Sequence, residues 1–125
     1  MTKLLIADDD KAMLGLLTTL LELEGYTVVT ETDPESILET IHSTRPDLIL
    51  LDVHVAGKET LAVLQQIKSA PALNGIPTIM ISGMELRNQC LALGADDFIL
   101  KPFHPQELLD HILPLVEGDE EAAQP

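Results

Sequence analysis

Lysine and arginine are scarce in this chain, with seven against 21 aspartates and glutamates over 125 residues, a formal net charge of −14. Such a surface repels phosphate backbones and anionic lipid headgroups, so direct nucleic-acid binding by this segment and adsorption to acidic membranes are excluded. Cysteine is scarcer still. The single Cys90 cannot close an internal disulfide or supply a Cys-based zinc site, so packing alone must hold the fold. No apolar run approaches the roughly 20 residues of a membrane span. The start Met1-Thr2-Lys3-Leu4 also lacks a signal peptide's apolar stretch and small-residue cleavage site. The expectation is a cytoplasmic protein with no membrane partner.

What is present is a core. Hydrophobic residues make up 46% of the chain against 22% charged, enough to bury one compact domain and too apolar for intrinsic disorder over most of its length. Short apolar runs alternate with segments of helical period, the sequence form of a parallel sheet covered by helices. Leu4-Leu5-Ile6-Ala7, Leu48-Ile49-Leu50-Leu51 and Ile79-Met80-Ile81 are apolar at consecutive positions, as central strands covered on both faces must be. The mixed run Tyr26–Thr30 and the short Phe98-Ile99-Leu100 suit the two edges. Between them, Met13, Leu17, Leu20 and Leu21 share one helical stripe that ends before Gly25. Asp33-Pro34 starts a second helix, with Ile37, Leu38 and Ile41 toward the sheet, and Leu61, Leu64 and Ile67 mark a third. A fourth spans about Glu85 to Leu93. The fifth begins near Pro105 and carries Leu108, Leu109 and Ile112, with Pro114 expected to kink it or end it early. The fold class is α/β, a (βα)5 doubly wound five-stranded parallel sheet. The domain is expected over residues 1–116, followed by an acidic flexible tail or linker stub over 117–125.

In an open parallel sheet, ligands bind beyond the carboxyl ends of the strands. Asp8-Asp9-Asp10 follow the first strand, Asp52 ends the third, Ser82 ends the fourth and Lys101-Pro102 follow the fifth. Taken singly, each suits a cap, a turn or a solvated surface charge. Together they bring carboxylates, a hydroxyl and an ammonium to one rim. Crowded carboxylates raise one another's pKa unless a cation sits among them, and an oxygen-only donor set favours a hard divalent ion, best Mg²⁺. Such a set beside a lysine is equipment for phosphoryl transfer, with Asp52 as nucleophile forming an acyl phosphate.

Four motifs occur in order: Leu5-Ile6-Ala7-Asp8-Asp9-Asp10, Leu48-Ile49-Leu50-Leu51-Asp52, Ile79-Met80-Ile81-Ser82-Gly83 and Gly94-Ala95-Asp96-Asp97-Phe98-Ile99-Leu100-Lys101-Pro102-Phe103. Over about residues 3 to 113 the chain resembles the CheY-like receiver domain of two-component response regulators. The resemblance implies flavodoxin-like strand order 2-1-3-4-5 and a cis Lys101–Pro102 bond. It implies that Asp52 is the phosphoacceptor, that Asp9, Asp52 and the His54 backbone carbonyl bind Mg²⁺ directly, and that Asp8 acts through metal-bound water. Ser82 and Lys101 would contact the phosphoryl oxygens, and Ser82 with Phe98 would form a switch that reshapes the face of the fourth helix, fifth strand and fifth helix. The implied partners are a histidine kinase or histidine phosphotransfer protein upstream and a downstream protein or fused output domain. The implied protein is a phosphoacceptor switch that catalyses only its own phosphorylation and dephosphorylation, and is not an enzyme in the usual sense.

The chain also departs from the family. In Val53–Thr60, Ala56 stands where the family commonly has Pro, and Thr60 where Gly is common. His54 and Met84, two residues after Asp52 and Ser82, occupy positions that tune dephosphorylation in this family. Two other readings share the layered fold. A flavin carrier would need a hydroxyl- and glycine-rich phosphate loop where Asp8-Asp9-Asp10-Lys11 stands. A degenerate, phosphorylation-independent receiver acting as a protein-binding module would not need the Asp9, Asp52, Ser82 and Lys101 set.

Overall fold

Each apolar run becomes a strand of one sheet. The computed structural model describes residues 1–116; the acidic stretch 117–125, expected as a tail or linker, lies outside the described residues. The strands are β1 (Lys3–Ala7), β2 (Thr27–Glu31), β3 (Leu48–Asp52), β4 (Thr78–Ser82) and β5 (Asp97–Leu100). The helices are α1 (Lys11–Leu23), α2 (Ile37–Thr44), α3 (Leu61–Ser69), α4 (Arg87–Ala92) and α5 (Pro105–Val116). The five strands are parallel in the order β2-β1-β3-β4-β5, the doubly wound, flavodoxin-like arrangement that the resemblance implies. The central strands β3 and β4 are buried at every position, while the outer β2 exposes Thr27 and Thr30.

Successive strand residues point to opposite faces, and this splits the core in two. Leu5, Ile49, Leu51, Met80 and Phe98 pack with Ile37, Ile41, Leu64, Ile67 and Cys90 from α2, α3 and α4. Leu4, Ile6, Leu48, Leu50, Ile79, Ile81 and Ile99 pack with Leu14, Leu17, Leu21, Leu108 and Ile112 from α1 and α5. Gly94 closes the turn into β5 at φ +104, and a Cβ there would lie 3.0 Å from the Lys68 side chain. That lysine crosses the turn to donate to Asp96 Oδ2 at 2.8 Å, and Asp96 also accepts from the Thr78 amide at 2.8 Å. Only glycine satisfies both the left-handed backbone and the close approach.

Several elements differ from expectation. Leu14, not Met13 or Leu20, completes the buried α1 stripe; Met13 and Leu20 are half-buried. Asp33 does cap a helical start, accepting from the Glu35 amide, but the turn Pro34–Ser36 is a 3₁₀ helix that leads into α2. The fourth helix is shorter at both ends, Arg87–Ala92. Pro114 does not end α5, which runs to Val116. Proline there lies in the last turn on the exposed side, where its missing N–H forfeits only one backbone bond. A two-residue antiparallel hairpin, His54–Val55 with Lys58–Glu59, follows β3 and was not expected.

Candidate functional site

Strand order decides which rim residues meet. β1 and β3 are neighbours, with Ala7 opposite Leu51, so Asp8 and Asp52 leave adjacent strand ends. Both are nearly sealed, Asp8 at 2% and Asp52 at 6% exposure. Lys101 follows β5 and reaches back across the rim. Its ammonium donates to Asp52 Oδ2 and to Asp8 Oδ2, the latter at 3.2 Å. The Lys101–Pro102 bond is cis, as the resemblance implies.

Backbone donors fix both carboxylates further. Asp8 Oδ1 accepts from the Asp10 amide at 3.0 Å, and Asp52 Oδ1 accepts from the His54 amide at 3.0 Å. Asp10 in turn caps α1 by accepting from the Met13 amide. Burial pushes the Asp8 carboxyl above its ordinary 3.8; the Asp10 amide opposes that rise, and Asp52 reinforces it. For Lys101, burial works to lower the pKa, but the pull of Asp52 and Asp8 outweighs it and holds the ammonium above 10.5. The site is therefore an excess of negative charge with one internal cation.

The remaining expected residues are placed as follows. Ser82 ends β4 beside β3, is buried, and its Oγ accepts from the Met84 amide at 3.0 Å, while its carbonyl accepts from the Lys101 amide at 2.8 Å. Phe98 lies opposite Met80 within the core beneath α4, fully buried, with the Arg87 guanidinium carbon 5.3 Å from its ring centre. The side chains of His54 and Met84 are exposed, Met84 at 60%. Asp9 is exposed and outside the Asp8–Lys101–Asp52 contact. Among the described residues no three acidic, histidine or cysteine side chains are grouped so as to hold a metal ion by themselves. The donors nevertheless fit a hard divalent cation that keeps much of its own water: they are all oxygen, and Asp52 raises the pKa of Asp8.

Sequence reasoning gave no role to Thr60. It is fully buried, its hydroxyl donates to the Asp52 carbonyl at 2.7 Å, and its amide donates to the Val53 carbonyl at 2.7 Å. A threonine just before the apolar period Leu61, Leu64, Ile67 equally suits a helix N-cap, so neither its type nor its place signals a contact with the site.

The family model for the response regulator receiver domain matches residues 4–113. The transcriptional regulatory protein CpxR of Escherichia coli K12 is 38% identical over 115 residues, which cover 90% of this chain and 48% of that protein. The alkaline phosphatase synthesis transcriptional regulatory protein PhoP of Bacillus subtilis is 32% identical over 124 residues, covering 97% of this chain and 51% of that one. The chain thus spans about half the length of the curated relatives it matches. A CheY-like response regulator receiver domain protein from Methanospirillum hungatei JF-1 superposes with TM-score 0.87 at 30% identity, covering 98% of this chain and 99% of that one. Fold, motif order and these likenesses agree, and the chain belongs to the response regulator receiver domains of two-component systems.

Proposed function

We propose that this domain is a phosphoryl-accepting signalling switch whose acceptor is Asp52. One observation carries the reading: the buried Asp52 carboxylate, at the end of a central strand, is held by the His54 amide and the Lys101 ammonium with Asp8 alongside. An Asp52 oxygen attacks the phosphorus of a phosphohistidine on a histidine kinase or histidine phosphotransfer protein. The P–N bond breaks, its electron pair stays on the imidazole nitrogen, and the acyl phosphate forms. Lys101 neutralises charge on the transferred group, and the Ser82 hydroxyl turns from the Met84 amide toward a phosphoryl oxygen. Asp9, Asp52 and the His54 carbonyl would hold Mg²⁺, with Asp8 acting through its water; the ion supplies charge neutralisation for the incoming phosphoryl group. Removal of the Ser82 hydroxyl from its resting place gives Phe98 room to move, and the surface of α4, β5 and α5 changes with it.

In this reading the domain acts on no external substrate, works in the cytoplasm, and hands its signal to a downstream protein or a fused output domain. The named relatives are transcriptional regulators about twice its length, which favours a fused output. With Mg²⁺ and acetyl phosphate, intact mass should rise by one phosphoryl group, and Asp52→Asn should abolish the rise. Efficient labelling of Asp52→Asn, or labelling indifferent to a chelator, overturns the assignment.

A further inference from the structure

We infer that Thr60 is a positioning residue for phosphoryl acceptance at Asp52, an inference that rests on the function proposed above. Thr60 immediately precedes α3, where a threonine normally turns its hydroxyl onto the free amides of the first helical turn. Here its side chain makes no such cap. The hydroxyl donates instead to the backbone carbonyl of Asp52 at 2.7 Å, at a site fully shielded from solvent.

That bond completes a clamp on one peptide unit. The amide of Val53 donates to the Ile81 carbonyl at 2.8 Å, while the carbonyl of Asp52 is taken by Thr60. Both polar atoms of the plane that follows Asp52 are therefore engaged, one by the neighbouring strand and one by the residue just before α3. The Thr60 amide also donates to the Val53 carbonyl, so the loop carrying His54 is tied at its base. Rotation of this plane would swing the Asp52 side chain and the His54 amide that orients it. Without the hydroxyl, the buried carbonyl loses this bond, and rotation of the plane is one way to relieve that loss.

Displacement of a reacting atom by about 1 Å is enough to slow a reaction about a hundredfold. The experiment compares wild type, Thr60→Val, Thr60→Ala and Thr60→Ser for the rate of acetyl phosphate labelling with Mg²⁺, alongside thermal melts of each. The valine variant keeps the shape and loses the hydroxyl, and the serine variant keeps the hydroxyl. Labelling of the valine and alanine variants should fall about ten- to a hundredfold through the maximal rate, not the half-saturating donor concentration, and the serine variant should recover most of it. In the unmutated protein, the Thr60 hydroxyl proton should be protected enough to observe by NMR.

Wild-type labelling rates in valine and alanine variants overturn the inference, as does a serine variant as slow as valine or a freely exchanging wild-type hydroxyl. The hydroxyl measurement stands even if a variant fails to fold. If wild type itself takes no phosphoryl group on Asp52, the functional reading fails first; if wild type is labelled and the variants match it, only the role of Thr60 fails.

Discussion

Asp8 is the residue whose burial works against the fold. Its carboxyl sits above the ordinary value because burial, reinforced by Asp52, outweighs the Asp10 amide, so between 3.8 and the folded value the folded protein holds a proton there that the unfolded chain has released. The sign follows from linkage: stability associated with Asp8 falls as pH rises through the window from 3.8 to its folded pKa. Above the folded value the cost is fully present, and below the ordinary 3.8 it vanishes. Asp8→Asn should therefore be more resistant to urea than wild type at high pH, and the gap should narrow as the pH falls toward the ordinary 3.8. A gap that widens on acidification would contradict this account. Lys101 has the opposite profile. Its ammonium is held above 10.5 by Asp52 and Asp8, so its contribution is intact below that value and is lost as alkali takes the pH through the raised one.

Among the elements, the hairpin after β3 departs most from what Ala56 suggests. Ala56 and Gly57 have φ of 51 and 78 degrees, the two positive values that a type I′ hairpin turn requires. Alanine pays roughly 1–2 kcal/mol for this backbone, and proline, the family's common residue here, is locked near −65° and cannot adopt it. Ala56→Gly should raise stability by about 0.5–1 kcal/mol and Ala56→Pro should lower it by about 2 kcal/mol or more, read from urea midpoints. A proline variant as stable as wild type would mean that the turn readily takes another form. The strands were legible because consecutive apolar residues have few alternatives in a chain of this composition. In the α1 stripe Leu17 and Leu21 are buried as expected, but Met13, Leu14, Leu16 and Leu17 are all apolar, so the pattern does not separate Leu14 from Met13, and only packing in the core does. The hairpin left no pattern beyond Gly57, since it depends on a left-handed alanine. The rim residues were legible because they close apolar strands, whereas the role of Thr60 depends on a hydroxyl turned away from its own helix.

Across the whole molecule, the sheet divides two cores, and the Phe98 ring of the proposed switch lies in only one of them. Phe98 shares the core beneath α4 with Met80, Cys90 and Ala95, while Arg87 on α4 lies over its ring. Movement of Phe98 therefore disturbs α4 before it disturbs α1, which packs on the opposite face. With Mg²⁺ and beryllium fluoride, amide shifts should extend from Asp52 and Ser82 through β5 to α4, including Arg87 and Asn88, and into the exposed Gln106 and Glu107 of α5. Shifts confined to the rim would show that no change passes through this surface. The contacts of Lys101 have a further consequence. They join Lys101 to Asp8 and Asp52, 93 and 49 positions away in sequence, so a chain emerging from the ribosome carries both carboxylates long before it carries their lysine. Until residue 101 is free to fold back, the two carboxylates lack their internal counter-charge. On the proposed function, competence to receive a phosphoryl group is thereby tied to completed synthesis of the domain, and fragments ending before β5 should not be labelled by acetyl phosphate.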